Sequence, residues 1–163
     1  MAPIVESLPS YVKDSQHVLQ ISHNFNFLGE DKLIFTMDIM SLYTIIPNGE
    51  GFLALKHFFD LRSVKEPSSE TLLSLADLVL TLNSFSFADN YKQINGVAMG
   101  TKMVPSYANL FMCYIEHQLF NQYNGPKPVL YHHYIDNCIS ATSSTREDPQ
   151  SIYNCCQFVS SCS

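Results

Sequence analysis

Two aspartates in this chain stand where a carboxylate could bind a metal ion. Asp136 lies inside a stretch rich in aromatic and β-branched residues, from Tyr131 to Thr142. Residues of these types predict strands on both sides of it, and Asp136-Asn137 is typical of a tight turn between them. A carboxylate at the tip of such a hairpin can bind a hard cation such as Mg2+. An ordinary surface hairpin gives the same pattern, so a metal site needs a second carboxylate.

Asp38 is the candidate for that second carboxylate. It is the only charge in the apolar run from Leu33 to Pro47. Such a run predicts a strand buried on both faces, where an unpaired charge would be costly. A metal ion shared with Asp136 is one partner that would offset this cost. The alternative is that Asp38 lies at the strand end and accepts backbone hydrogen bonds there.

The elements that must position these residues alternate between helices and strands. Apolar residues recur at helical spacing in Gly51 to Arg62, in Leu72 to Leu82 after a capping serine, and in Pro105 to Leu119. Ser84 to Val97 instead alternates like a hairpin. The order strand, helices, hairpin, helix, hairpin predicts an α+β fold, in which helices cover one face of a small antiparallel sheet.

Composition predicts a folded domain inside the cell. At 163 residues and 18.5 kDa, with 46% hydrophobic and 15% charged residues, the chain can bury a core. The sequence lacks a membrane-length apolar run and a signal peptide pattern, which predicts a nuclear or cytoplasmic protein that is not secreted. Five cysteines fit free thiols there. The net charge of −6 gives little general attraction for nucleic acid.

Three segments carry motifs in a fixed order. Asp38 is followed five positions later by Tyr43, and Tyr134-Ile135-Asp136-Asn137 stands near the other end. Between them the segment from Gly96 to Phe111 reads Gly-Val-Ala-Met-Gly-Thr-Lys-Met-Val-Pro-Ser-Tyr-Ala-Asn-Leu-Phe. Together these segments resemble the palm domain of reverse transcriptases, most closely that of Penelope-like retroelements. The segment from Gly96 to Phe111 resembles the family motif that cradles the nucleotide and the template base. The Tyr-Ile-Asp-Asn segment resembles the Tyr-x-Asp-Asp box of the family.

The resemblance covers roughly Val5 to Glu147 and implies three parts. These are an N-terminal lead-in (1–31), a partial palm domain (32–147) and an unstructured tail (148–163). Segments similar to the fingers and thumb of the family are missing from the sequence. Three cysteines in the tail do not have the spacing of a zinc site.

The resemblance also implies a chemistry, the two-metal addition of deoxynucleotides to a primer on an RNA or DNA template. Asp38 and Asp136 would bind Mg2+, for which Mn2+ could substitute. Tyr43 would select deoxynucleotides at the sugar, although a core aromatic residue is the alternative. The remaining residues implied at the substrate are Gly100, Tyr134 and Met99, for which core packing is the alternative.

Asn137 departs from the family pattern, because relatives carry a second aspartate there. A neutral amide is a poorer ligand for a hard cation, so we expect weaker metal binding from this change. Two alternative functions therefore follow from the sequence. One is a fragment of an RNA-directed DNA polymerase of retroelement origin. The other is a catalytically inactive remnant or small interaction module, whose exposed surfaces would favour self-association.

Overall fold

The computed structural model of the chain describes residues 1–25, 33–82, 84–87, 89–98, 100–122, 124 and 127–142. The helices and strands in these ranges are α1 (Ala2–Val5), α2 (Ser15–Asn24), β1 (Leu33–Asp38), α3 (Leu42–Ile45), α4 (Asn48–Asp60), α5 (Ser69–Thr81), β2 (Ser84–Phe87), β3 (Asp89–Lys92), α6 (Val104–Gln122), β4 (Leu130–Tyr134) and β5 (Asn137–Thr142). The tail expected at 148–163 lies outside the described residues. None of the described helices is both long and apolar enough to cross a membrane.

The main sheet has three antiparallel strands in the order β1-β5-β4. The free side of β4 pairs with the N-terminal segment, where the Val12 amide donates to the His133 carbonyl (2.9 Å) and the His133 amide donates to the Ser10 carbonyl (2.8 Å). The strands β2 and β3 form a separate hairpin. A small antiparallel sheet combined with helices confirms the predicted α+β class.

The core is centred on α6, whose residues from Tyr107 to Cys113 are all buried. On one side α6 faces β4, where the Phe120 ring meets the Tyr131 ring edge-on, with centroids 5.3 Å apart. On the other side α1, α3 and α4 pack against it, and α5 packs against α4. The helices therefore form layers on one face of the sheet, as predicted. The capping prediction is also confirmed, because the Ser68 side chain accepts a hydrogen bond from the Thr71 amide (3.1 Å).

The prediction that Leu33 to Pro47 forms one strand buried on both faces is wrong. The strand ends at Asp38 and lies at an edge of the sheet, with Ile34 48% exposed. The apolar run serves two elements in succession. Its first half forms β1, in which Met37 packs against the core. Its second half buries Leu42 in α3 and Ile46 directly after α3.

The hairpin turn is also displaced by one residue from the prediction. Tyr134 pairs with Asn137 across the two strands, so the turn residues are Ile135 and Asp136, and Asn137 begins β5. Ile135 adopts a left-handed φ of 57°. A β-branched residue is a rare choice for that conformation, which is why the sequence pattern favoured the Asp-Asn pair as the turn.

Candidate functional site

The segments that carry the two aspartates lie side by side at one end of the sheet. Asp38 is paired with Asn137, and Asn137 is paired with Tyr134, so these three residues form a row across β1, β5 and β4. Directly opposed residues of antiparallel strands share a face of the sheet. The amide of Ile39 donates a hydrogen bond to the backbone carbonyl of Asp136 (3.0 Å), which ties the end of β1 to the turn. The chain therefore brings Asp38 and Asp136 to the same end of the sheet.

The turn itself holds Asp136 in a defined orientation. Ile135 packs against the core, and its left-handed backbone costs about 1–3 kcal/mol that the flanking strands must offset. Asp136 is half-buried, and its Oδ1 accepts a hydrogen bond from Nδ2 of Asn137 (2.8 Å). Asn137 therefore acts here as a donor that orients the neighbouring carboxylate.

Tyr43 reaches this site from α3. The chain turns sharply after β1, with Ser41 at a left-handed φ of 57°, and the short helix that follows carries Tyr43 back towards the hairpin. Burial, followed by the charges of Asp136 and Tyr134, raises the pKa of Tyr43 above its ordinary value. Its hydroxyl is therefore protonated and neutral beside Asp136. The structure thus brings together four of the predicted site residues besides Asn137: Asp38, Asp136, Tyr43 and Tyr134.

The segment from Gly96 to Phe111, here called the middle motif, begins next to α3 and is linked to it by backbone hydrogen bonds. The Gly96 amide donates to the Ile46 carbonyl (2.9 Å) and the Val97 amide donates to the Tyr43 carbonyl (2.8 Å). Gly96 has a φ of 72°, and a Cβ there would lie 2.6 Å from the Cα of Thr44. Only glycine permits both this conformation and this approach.

Of the two other predicted substrate residues, Gly100 alone is among the described residues. Gly100 is exposed, has a φ of 98° and would leave a Cβ in open space, so glycine is needed there for conformation alone. Met99 lies outside the described residues. Its predicted role stays a prediction.

Asp38 and Asp136 carry oxygen ligands of the type that hard divalent cations prefer. Mg2+ is commonly held by one or two carboxylates together with waters and substrate phosphates, and Asp38 and Asp136 supply that number. Asp38 lies at the end of β1, the position that one of the two sequence interpretations gave it, and it is exposed. Among the described residues, no group of three or more His, Cys, Asp or Glu side chains is placed to hold a metal ion.

Sequence reasoning missed a buried carboxylate behind the hairpin. Glu116 in α6 is 7% exposed, and it accepts hydrogen bonds from the Ser10 hydroxyl (2.7 Å) and the Tyr131 hydroxyl (2.9 Å). The signal was present, because Glu116 is the only Asp, Glu, Lys or Arg between Lys102 and Lys127. It is the same signal of a lone charge in an apolar run that singled out Asp38.

Comparison with known proteins reveals likeness in structure only. Neither a family model nor a curated protein matches the chain. The structure of apo telomerase from Candida tropicalis matches 98% of the chain at a TM-score of 0.75 and 10% identity. A form of that telomerase truncated from the C-terminal domain matches 96% at a TM-score of 0.73 and 10% identity. Telomerase from Candida albicans, in complex with a TWJ fragment of telomeric RNA, matches 93% at a TM-score of 0.73 and 12% identity.

The match covers nearly all of this chain but only part of each telomerase. The shares of the three telomerase chains, in the same order, are 32%, 35% and 29%. This chain therefore spans about a third of their length, and at such low identity the likeness concerns the fold. The chain has the mixed helix and strand fold of part of telomerase, which agrees with the predicted palm-like architecture.

Proposed function

We propose that this chain is part of an RNA-directed DNA polymerase domain, with Asp38 and Asp136 as its metal-binding carboxylates. One observation carries the proposal: the Ile39 to Asp136 hydrogen bond places the two carboxylate-bearing segments side by side at the sheet end. The fold supports the same conclusion, because telomerase is a reverse-transcriptase-related polymerase. The finer assignment, to a Penelope-like retroelement, rests on the resemblance of the segment from Gly96 to Phe111.

In this proposal the chain's own residues prepare the site. Asn137 orients the Asp136 carboxylate through its side-chain hydrogen bond (2.8 Å). Tyr43 presents a neutral aromatic ring and hydroxyl where the nucleotide sugar would lie. Mg2+ or Mn2+, when bound to Asp38 and Asp136, would lower the pKa of the primer hydroxyl and offset the triphosphate charge.

The partners in this proposal are deoxynucleotides and a template-primer of RNA or DNA. The Candida albicans telomerase was solved with an RNA fragment, which supports a nucleic-acid partner for this fold. Nine Lys and Arg against fifteen Asp and Glu provide few phosphate contacts. We therefore expect weak binding whose affinity falls only shallowly as salt is raised.

The second candidate is an inactive remnant or interaction module. Asn137 favours it, because the resemblance aligns this amide with a family carboxylate. The first candidate requires a divalent cation at the sheet end and the second does not, and cation binding can be measured without turnover.

Mn2+ binding, followed by electron paramagnetic resonance, tests the proposal directly. We expect Asp38→Asn and Asp136→Asn each to weaken Mn2+ binding by at least about tenfold, since even outer-shell changes cost this much. Asp77→Asn is the matched control, because Asp77 is an exposed carboxylate on α5. Equal affinity in all four proteins would reject the metal site and favour the second candidate.

A further inference from the structure

Glu116 is buried in a way that needs an explanation. An ionised carboxylate in a protein interior is costly unless hydrogen bonds and partners compensate for its lost hydration. Two hydroxyls, of Ser10 and Tyr131, donate to its two oxygens. Burial, followed by the charge of Glu116, raises the pKa of Tyr131 far above its ordinary value, so the tyrosine remains a donor. Removing the carboxylate would leave both hydroxyls without this acceptor.

These contacts join three elements that are distant in sequence. Ser10 belongs to the N-terminal segment that pairs with β4 at His133, and Tyr131 belongs to β4 itself. His133 is fully buried, and its Nε2 lies 3.5 Å from Oε1 of Glu116. Tyr131 and His133 alternate with His132 along the strand, so both face α6. The Glu116 carboxylate therefore helps to set how closely β4 packs against α6.

The same cluster reaches the second strand of the hairpin. Cys138 in β5 is paired with His133, and the Tyr131 hydroxyl lies 3.6 Å from its Sγ. Both strands are thus held immediately behind the turn that carries Ile135 and Asp136. A left-handed isoleucine persists only when its surroundings impose that conformation, so the turn depends on this support.

We propose that Glu116 is a positioning residue of the candidate metal site, which anchors the hairpin through Tyr131 and so sets the place of Asp136 beside Asp38. Its effect on metal binding rests on the proposed function. Its effect on the hairpin does not, and the Ile39 amide measures that effect in the metal-free chain, because this amide donates to the Asp136 carbonyl (3.0 Å).

Amide hydrogen exchange of the metal-free chain is the first part of the test. Glu116→Gln keeps the shape of the side chain but removes its charge and one acceptor. We expect exchange at Ile39 to rise about tenfold more than exchange at the slowest amides of α6, because local opening of the turn adds to global unfolding. Tyr131→Phe removes one donor with little change of shape, and it decides the question if Glu116→Gln does not fold.

A destabilised control separates positioning from general stability. Leu80 is buried in α5, away from the hairpin, so Leu80→Ala lowers stability without touching the cluster. In this variant Ile39 and the α6 amides should accelerate together. If Ile39 follows the α6 amides in Glu116→Gln and Tyr131→Phe as well, Glu116 is merely a structural residue and the proposal is overturned.

Mn2+ affinity is the second part of the test. We expect Glu116→Gln and Tyr131→Phe to weaken Mn2+ binding by about tenfold, as outer-shell changes do, and Leu80→Ala to leave the affinity of the folded chain unchanged. If the wild type binds no Mn2+, the proposed function is rejected. Faster Ile39 exchange in the two variants would then still support the role of Glu116 in the hairpin. Unchanged Mn2+ affinity in a metal-binding wild type would overturn the positioning role.

Discussion

Gly96→Ala should disturb the structure more than the same change at Gly49 or Gly100. The position needs glycine for two independent reasons, a φ of 72° and a Cβ position 2.6 Å from the Thr44 Cα. A left-handed conformation costs an alanine about 1–2 kcal/mol. A methyl group forced against packed backbone costs about 1–3 kcal/mol more, because backbone yields less readily than a side-chain end.

The two contributions add to about 2–5 kcal/mol, a large share of the about 5–15 kcal/mol that stabilises a typical domain. Urea unfolding followed by far-ultraviolet circular dichroism measures this free energy. The steric contribution arises at α3, so the variant should also displace Tyr43, whose carbonyl accepts the Val97 amide (2.8 Å). A change in the ultraviolet titration of Tyr43 would report that displacement.

Two other glycines provide matched controls. Gly100 has a φ of 98° with no atom within 4 Å of a Cβ, so Gly100→Ala should carry only the conformational cost of about 1–2 kcal/mol. Gly49 lies in α4 with open space around it, and Gly49→Ala should stabilise the chain by up to about 1 kcal/mol. If Gly96→Ala costs no more than Gly100→Ala, the close approach between the middle motif and α3 is not real.

Two further changes test charge at and near the site. Asn137→Asp should lower the stability of the metal-free chain, because it places a second carboxylate against Asp136, and should strengthen Mn2+ binding in the titration described above; a variant that gains no Mn2+ affinity would contradict the assigned ligands. Burial, followed by Glu116, raises the pKa of the Cys113 thiol to about 11 from 9.0. The folded chain therefore binds this proton more tightly than the unfolded chain, and the free energy of unfolding should fall as pH rises from about 9 towards 11. Cys113→Ala should make that fall shallower, and an unchanged slope in urea titrations would contradict the assignment.

The sequence predicted those parts of the site that depend on local chemistry. Asp38 and Asp136 were singled out as lone carboxylates in apolar or β-rich runs, and the segments that carry them lie at one sheet end, although Asp38 is exposed and needs no partner to offset burial. Helix α5 and its Ser68 cap were found because capping and periodicity are local properties. Each of these features is determined within a few neighbouring residues.

Other features could not be predicted from the sequence, because they depend on tertiary contacts. The position of the turn depends on Ile135, whose left-handed conformation is unfavourable by itself and is stabilised by tertiary contacts, among them the packing of its side chain against the core. The hydrogen bond between Ser10 and Glu116 joins residues 106 positions apart, so no local pattern indicates it. The edge position of β1 follows from the order of strands, which periodicity does not specify.

Asn137 connects the stability of the hairpin with the strength of the candidate metal site. Its amide donates to the Asp136 carboxylate (2.8 Å), an attractive contact where an aspartate would place a second negative charge. The repulsion between adjacent carboxylates is relieved when a cation is bound between them or when one of them is protonated. Asparagine therefore stabilises the hairpin without a cation, and for the same reason it reduces the negative charge that would attract one. Asparagine at this position therefore favours a sheet end that keeps its shape in the absence of metal, and it would weaken the metal site that we propose for Asp38 and Asp136.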